Sequence, residues 1–173
     1  PAYYRLAAID SIRGEWAGAL GKVNHSLKFN ARNHKALQLK AYLLRKLGRK
    51  EQALQTIQEA LANDLFNMGC CFEEYLLTGN REKLAAMNRM MHGMHHSYIE
   101  YSLDFAAAGL YDEAGQILRQ TVRKEGTYPM VYYALGYYAA MQGETVQAKS
   151  YYELAASQSP DRCFPNRIEE VNI

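Results

Sequence analysis

Five glycines set the framework of this 173-residue chain: Gly14, Gly48, Gly79, Gly109 and Gly143 each close an apolar run, at separations of 34, 31, 30 and 34 residues. Five residues after four of them stands an alanine (Ala19, Ala53, Ala114, Ala148), and the third copy has Leu84 there, with Ala85 beside it. Four further on, a bulky apolar or aromatic residue recurs as Val23, Ile57, Leu118 and Tyr152, and only Asn88 in the third copy breaks the series. A period in this range marks stacked supersecondary units, none of which buries its apolar face alone. In the last copy, Tyr132, Leu135, Gly136 and Ala139 share one helical face, and Ala148, Tyr152 and Ala155 form the stripe of a second helix. Gly143 between them is placed to take the left-handed conformation that ends a helix. Small residues at Gly136 and Ala148 allow the two helices to approach closely, and Tyr152 fills the space beyond. Period-two alternation is scarce, so strands are not expected.

These residues carry a resemblance. The copy from Pro129 to Pro160 resembles a tetratricopeptide repeat through Tyr132, Leu135, Gly136, Gly143, Ala148, Tyr152, Ala155 and Pro160. The copy from His95 matches through Tyr98, Tyr101, Phe105, Gly109, Tyr111, Ala114 and Leu118, although Ser102 replaces the glycine. The copy from His34 keeps Leu37, Ala41, Leu44, Gly48, Ala53, Ile57 and Ala60, with Lys40 in place of the usual leucine. The N-terminal copy keeps Tyr3, Leu6, Ala7, Gly14, Trp16, Ala19 and Val23, and the third is degenerate and short. Two repeats at 34 would span 68 residues where 61 stand, so about two helical turns are missing around the third copy. The resemblance implies an all-α, right-handed superhelical solenoid of antiparallel helix-turn-helix repeats. Its five copies lie near 1–33, 34–64, 65–94, 95–128 and 129–160, followed by a tail over 161–173. The tail folds back on the last repeat or leads into a following domain. Its Cys163-Phe164-Pro165-Asn166-Arg167 string resembles a segment of large multi-domain bacterial proteins that join such arrays to carbohydrate-enzyme-like domains.

Chemistry-bearing constellations are few. His92, His95 and His96 form the densest candidate metal set, but Gly93 intervenes and no nearby acid or thiol completes it; a polar turn between repeats accounts for them. Cys70 and Cys71 are adjacent and read as small buried fillers, and three cysteines cannot make a disulfide framework. The pairs Glu73–Glu74 and Glu169–Glu170 read as solvated surface. Met87, Met90, Met91 and Met94 read as adaptable filler beside the irregular repeat, or as a soft partner-binding patch. No phosphate-cradling loop, nucleophile elbow or zinc-protease helix occurs. No metal, cofactor or catalytic residue is therefore expected. A net charge of +2 lies too near neutrality for a non-specific nucleic-acid binder, and no run reaches the ~20 apolar residues that span a bilayer.

The 14 tyrosines divide by helical phase. Tyr3, Tyr98, Tyr101, Tyr132 and Tyr152 fall in packing slots, whereas Tyr4, Tyr42, Tyr133 and Tyr137 face the inner, concave side with Lys35, Gln38, Arg45, Ile99, Leu103 and Met130. Amphipathic aromatics suit binding surfaces, and they serve equally to cover neighbouring helices. One groove type in the family clamps a terminal carboxylate with several Lys, Arg and Asn residues. Here only Lys35 and Arg45 are basic, which speaks against such a clamp. The expectation is a non-catalytic protein-interaction or scaffolding module, cytoplasmic, that binds a peptide or protein segment with apolar anchors in its groove. A second expectation is a structural spacer within a larger carbohydrate-related enzyme. The partner would be another protein, another domain of the same chain, or a second copy docking through an uncapped end.

Overall fold

The computed structural model describes residues 2–123, 126–161, 163–165 and 170. Helices account for the regular structure among them, paired into hairpins: α1 (Ala2–Ile12) with α2 (Trp16–Phe29), α3 (His34–Lys46) with α4 (Lys50–Asn63), α5 (Met68–Thr78) with α6 (Arg81–Met90), α7 (His95–Ala106) with α8 (Tyr111–Arg119), and α9 (Pro129–Met141) with α10 (Thr145–Ser157). The chain divides into two compact units. The first comprises residues 1–90 with 107–109, and the second residues 91–106 with 110–173. In the first unit α3 packs on α2, and α5 packs on both α3 and α4; in the second, α9 packs on α8 and α7.

Four of the hairpin turns share one hydrogen bond. Glu15 N–H donates to the Asp10 carbonyl at 2.9 Å, Arg49 to Leu44 at 2.9 Å, Leu110 to Phe105 at 3.1 Å and Glu144 to Ala139 at 2.9 Å. This is the six-to-one bond of a Schellman motif, which needs a left-handed residue just before the donor. Gly14, Gly48, Gly109 and Gly143 supply it with φ of 75°, 71°, 77° and 78°. Gly79 has the same left-handed φ of 70° but closes α5 through its own N–H on the Tyr75 carbonyl at 2.8 Å. Helix starts are also written locally. The Asn33 and Asn67 side chains accept the N–H groups of Ala36 and Cys70, both at 3.1 Å, and Pro129 opens α9 where its missing N–H costs nothing.

Seven residues before each turn glycine one slot recurs as Ala7, Ala41, Phe72, Ser102 and Gly136, every one buried. A Cβ on Gly136 would stand 2.6 Å from the Tyr152 ring, so this contact admits nothing larger than glycine without movement. The third copy puts Phe72 in that slot and Leu84 opposite the usual alanine. Bulky side chains at both slots depart from the small-residue pattern that lets helices approach closely in the other copies, which is the physical content of its degeneracy. Its helices are also short, 11 and 10 residues against 13 and 14 in the second hairpin. The boundary between the compact units falls directly after it, at Met90. Cys70 packs into the core of Ala41, Ile57 and Ala60, and burial pushes the Cys71 thiol up to about 11; both thiols serve as filler. Met87 and Met91 are buried, whereas Met94 is exposed.

One surface expectation fails. Glu73 is fully buried in α5, and the Arg45 guanidinium of α3 grips it with Nε on Oε2 at 2.8 Å and Nη2 on Oε1 at 3.3 Å. Glu74 is also engaged, by Lys83 Nζ at 2.9 Å. Adjacent acids on a helix point about 100° apart, and here one of the two directions runs into the neighbouring helix. Of the second acidic pair, Glu170 is buried and Glu169 lies outside the described residues.

Candidate interaction site

The expected groove residues belong to both units, and each set has its own surroundings. In the first unit Gln38 is 5% exposed and lies across Gly69 of α5, where an added Cβ would stand 2.4 Å from its Cδ. It is a packing residue between α3 and α5. Tyr42 is likewise buried, with the Arg45 guanidinium carbon 5.3 Å and the Lys46 ammonium 5.5 Å from its ring centroid. Arg45 spends its fork on Glu73. Tyr4 and Lys35 are half-buried, and Tyr4 borders an open cleft of about 640 Å³ with Tyr3, Arg5 and Phe29. Tyr3 is 42% exposed despite its packing slot; its ring rests 4.0 Å from His25 and 6.4 Å from Phe29, centroid to centroid.

In the second unit Ile99 and Leu103 are buried and unavailable to a ligand. Helical phase says which residues share a face, and it is silent on whether another element covers that face. Tyr133 and Tyr137 are half-buried. Tyr133 leans on Tyr152 at 6.3 Å, and Tyr137 meets Tyr111 edge-on at 6.3 Å and Tyr138 at 5.9 Å. Tyr138 is 1% exposed, and its hydroxyl bonds Ser102 Oγ at 2.9 Å; Ser102 in turn donates to the Ile99 carbonyl. Burial drives the Tyr138 phenol pKa far up, against the opposing pull of the Ser102 bond. Ser102, the departure from the repeat's glycine, is thus answered by a hydroxyl from the next repeat.

The histidines do not converge on a metal. His92 occupies the turn before α7 with a left-handed φ of 52°, whereas His95 and His96 begin the helix. Among the described residues no three His, Cys, Asp or Glu stand within reach of one ion. His95 Nδ1 lies 2.6 Å from Thr121 Oγ1, and burial, with Arg123 and His96 adding, lowers its pKa. Tyr128 packs against both histidines at 6.2 and 4.9 Å and donates its hydroxyl to the Phe164 carbonyl at 3.2 Å. The tail is thereby tied to the second unit at Phe164; Asn166, Arg167 and Ile168 lie outside the described residues.

Two further clefts escape the groove scheme, and they occupy equivalent places. One lies between α2 and the α3–α4 hairpin, about 390 Å³, with Asn24, Lys40, Arg49, Gln52, Gln55 and Glu59 on its walls. The other lies between α8 and the α9–α10 hairpin, about 330 Å³, and includes Tyr111, Arg119, Leu135, Gln142, Glu144 and Gln147. Counted from the turn glycines, Asn24 answers to Arg119, Lys40 to Leu135, Arg49 to Glu144 and Gln52 to Gln147. A sequence signal for the first existed in the local charge. From Trp16 to Lys50 there are nine Lys and Arg and no Asp or Glu, whereas residues 51–173 carry sixteen acids against nine bases. The small net charge is a cancellation between opposite segments.

No protein-family model matches the chain, and no curated protein matches it in sequence. Its fold has solved counterparts. A thermophilic TPR protein of Thermus thermophilus aligns over 99% of this chain and 94% of its own, at 22% identity and a TM-score of 0.50. The MamA 41-end structure from Desulfovibrio magneticus RS-1 aligns over 90% of this chain and 92% of its own, at 12% identity and a TM-score of 0.50. The architecture is that of tetratricopeptide-repeat proteins: all-α, built from helix-turn-helix repeats. Among the described residues no helix is long and apolar enough to cross a membrane.

Proposed function

We propose that the chain is a non-catalytic protein-interaction module whose first-helix tyrosines receive a peptide or protein segment with apolar anchors. The carrying observation is the α9 face: Tyr133 and Tyr137 are half-exposed, and their rings are held from behind by Tyr152, Tyr111 and Tyr138. Aromatics already held in place lose little entropy on binding, which is what makes such residues affinity anchors. In the first unit the accessible contributors are Tyr4 and Lys35, both half-buried, because Gln38 and Tyr42 are covered and Arg45 is engaged. Three unpaired thiols suit a reducing, cytoplasm-like compartment.

The test is a peptide-array screen with the wild-type chain, followed by titration calorimetry of the hits. Tyr133→Ala and Tyr137→Ala together should weaken a groove ligand at least about tenfold while helical circular dichroism stays unchanged. Ligands that bind both forms equally would place the site elsewhere. In any longer polypeptide that contains this chain, protection of these tyrosines from iodination, against labelling in the isolated chain, would mark the role as that of an internal spacer.

A further inference from the structure

We infer that the cleft between α2 and the α3–α4 hairpin is a second binding site, selective for an acidic peptide segment of a partner protein. It lies on a different flank of α3 from Lys35 and Tyr42 and stands independently of the tyrosine face.

Three observations carry it. Lys40 occupies the slot where the matching repeat has Leu135, which is 2% exposed and packed. A lysine half-buried in a leucine slot gives up the packing the slot normally provides and brings a charge to the cleft wall. Neither the Lys40 nor the Arg49 side chain has a hydrogen-bond or ion-pair partner among the described residues, although both line the cleft. The one acid on the wall, Glu59, already accepts the Gln55 amide at 2.9 Å. Lastly, Leu20, Asn24, Lys40, Leu44 and Arg49 of the lining come from the acid-free segment from Trp16 to Lys50, whose excess of cations raises the local potential even with Lys22 and Arg45 paired to Asp10 and Glu73.

The walls define the ligand chemistry. Two cations of the α3–α4 hairpin, Lys40 and Arg49, share the walls with the amides of Asn24, Gln52 and Gln55, a set that matches carboxylates, which accept both charge-assisted and neutral hydrogen bonds. No aromatic side chain lines this cleft, so stacked bases find no platform there. A volume of about 390 Å³ accommodates one or two side chains at a time, which fits a peptide laid across the opening.

The experiment titrates the full 173-residue chain against a short fluorescein-labelled Glu-rich peptide, its Gln counterpart and a single-stranded RNA of equal charge. Anisotropy should show the Glu peptide binding, the Gln peptide failing to bind, and RNA binding more weakly. Lys40→Leu with Arg49→Gln should weaken the Glu peptide about tenfold or more, with the fold kept because leucine is native to that slot. Lys28→Gln with Arg32→Gln removes the same charge from exposed sites outside the cleft and should change affinity less than about threefold. Equal losses in the two double variants would reduce the effect to diffuse charge and overturn the site. Equal binding of the Gln peptide, tighter binding of RNA, or undiminished binding by Lys40→Leu alone would overturn it as well.

Discussion

The two compact units build the same hairpin with different chemistry. The first relies on charge: Arg45 forks onto buried Glu73, Lys22 meets buried Asp10, and Lys83 pairs with Glu74. The second relies on hydroxyls and rings: Ser102 on Tyr138, His95 on Thr121, and Tyr111, Tyr133, Tyr137 and Tyr152 in a run of aromatic contacts. Ten of the 14 tyrosines belong to the second unit, and the single tryptophan, Trp16, to the first. The repeat backbone thus accepts either chemistry at its inter-helix polar positions, and it tolerates the Ser11 hydroxyl buried without a hydrogen-bond partner among the described residues. Tryptophan fluorescence therefore reports the first unit, and tyrosine near-ultraviolet circular dichroism chiefly the second.

The largest effect should come from splitting the buried ion pair. Glu73→Ala leaves Arg45 half-buried without its acid and should cost about 3 kcal/mol, read in urea as an earlier tryptophan transition. A loss under about 1 kcal/mol would show that water takes over the guanidinium, and the charge side of the contrast would fall. Ser102→Ala strands the Tyr138 hydroxyl and should cost about 1–2 kcal/mol in the tyrosine signal. Adding Tyr138→Phe should recover most of that loss, since removing both partners is nearly neutral.

Gly136→Ala tests the close approach. Its Cβ runs into the Tyr152 ring, so the variant should lose about 1 kcal/mol. In a Tyr152→Ala background the same change should stabilise by up to about 1 kcal/mol, because alanine is the better helix former. The same sign in both backgrounds would refute the contact. The smallest effect is a pH dependence confined to the second unit. The His95 pKa is lowered on folding, so the unfolded chain binds the proton more readily and stability falls as pH drops below about 6.5. His95→Gln should flatten that decline in the tyrosine signal; an unchanged pH profile would clear His95 of it.

The repeat was legible residue by residue. Gly79 and its four counterparts adopt the left-handed backbone their spacing demands, Gly136 faces Tyr152, and Cys70 and Cys71 are buried filler. For the candidate site, helical phase gave which residues share a face and left their exposure open. Tyr133 and Tyr137 keep accessible area, but Gln38, Tyr42, Ile99 and Leu103 are covered, and Tyr3 is more open than its packing slot implies. Asp10 shows the same limit in reverse: nothing among its neighbours along the chain marks it for burial, yet it is 5% exposed and paired with Lys22.

Sequence by itself determined what depends on near neighbours along the chain: helix boundaries, turn glycines, the asparagine caps, and the small residues where two helices of a hairpin touch. Those are set by backbone sterics and by side chains within one or two turns. Tertiary structure alone decided which polar residues are buried, who partners Glu73 and Ser102, and that Lys40 and Arg49 face one cleft. These depend on residues 28 to 36 positions away, or on the meeting of three helices. Burial is a property of what packs against a face, and a single helix carries no record of it.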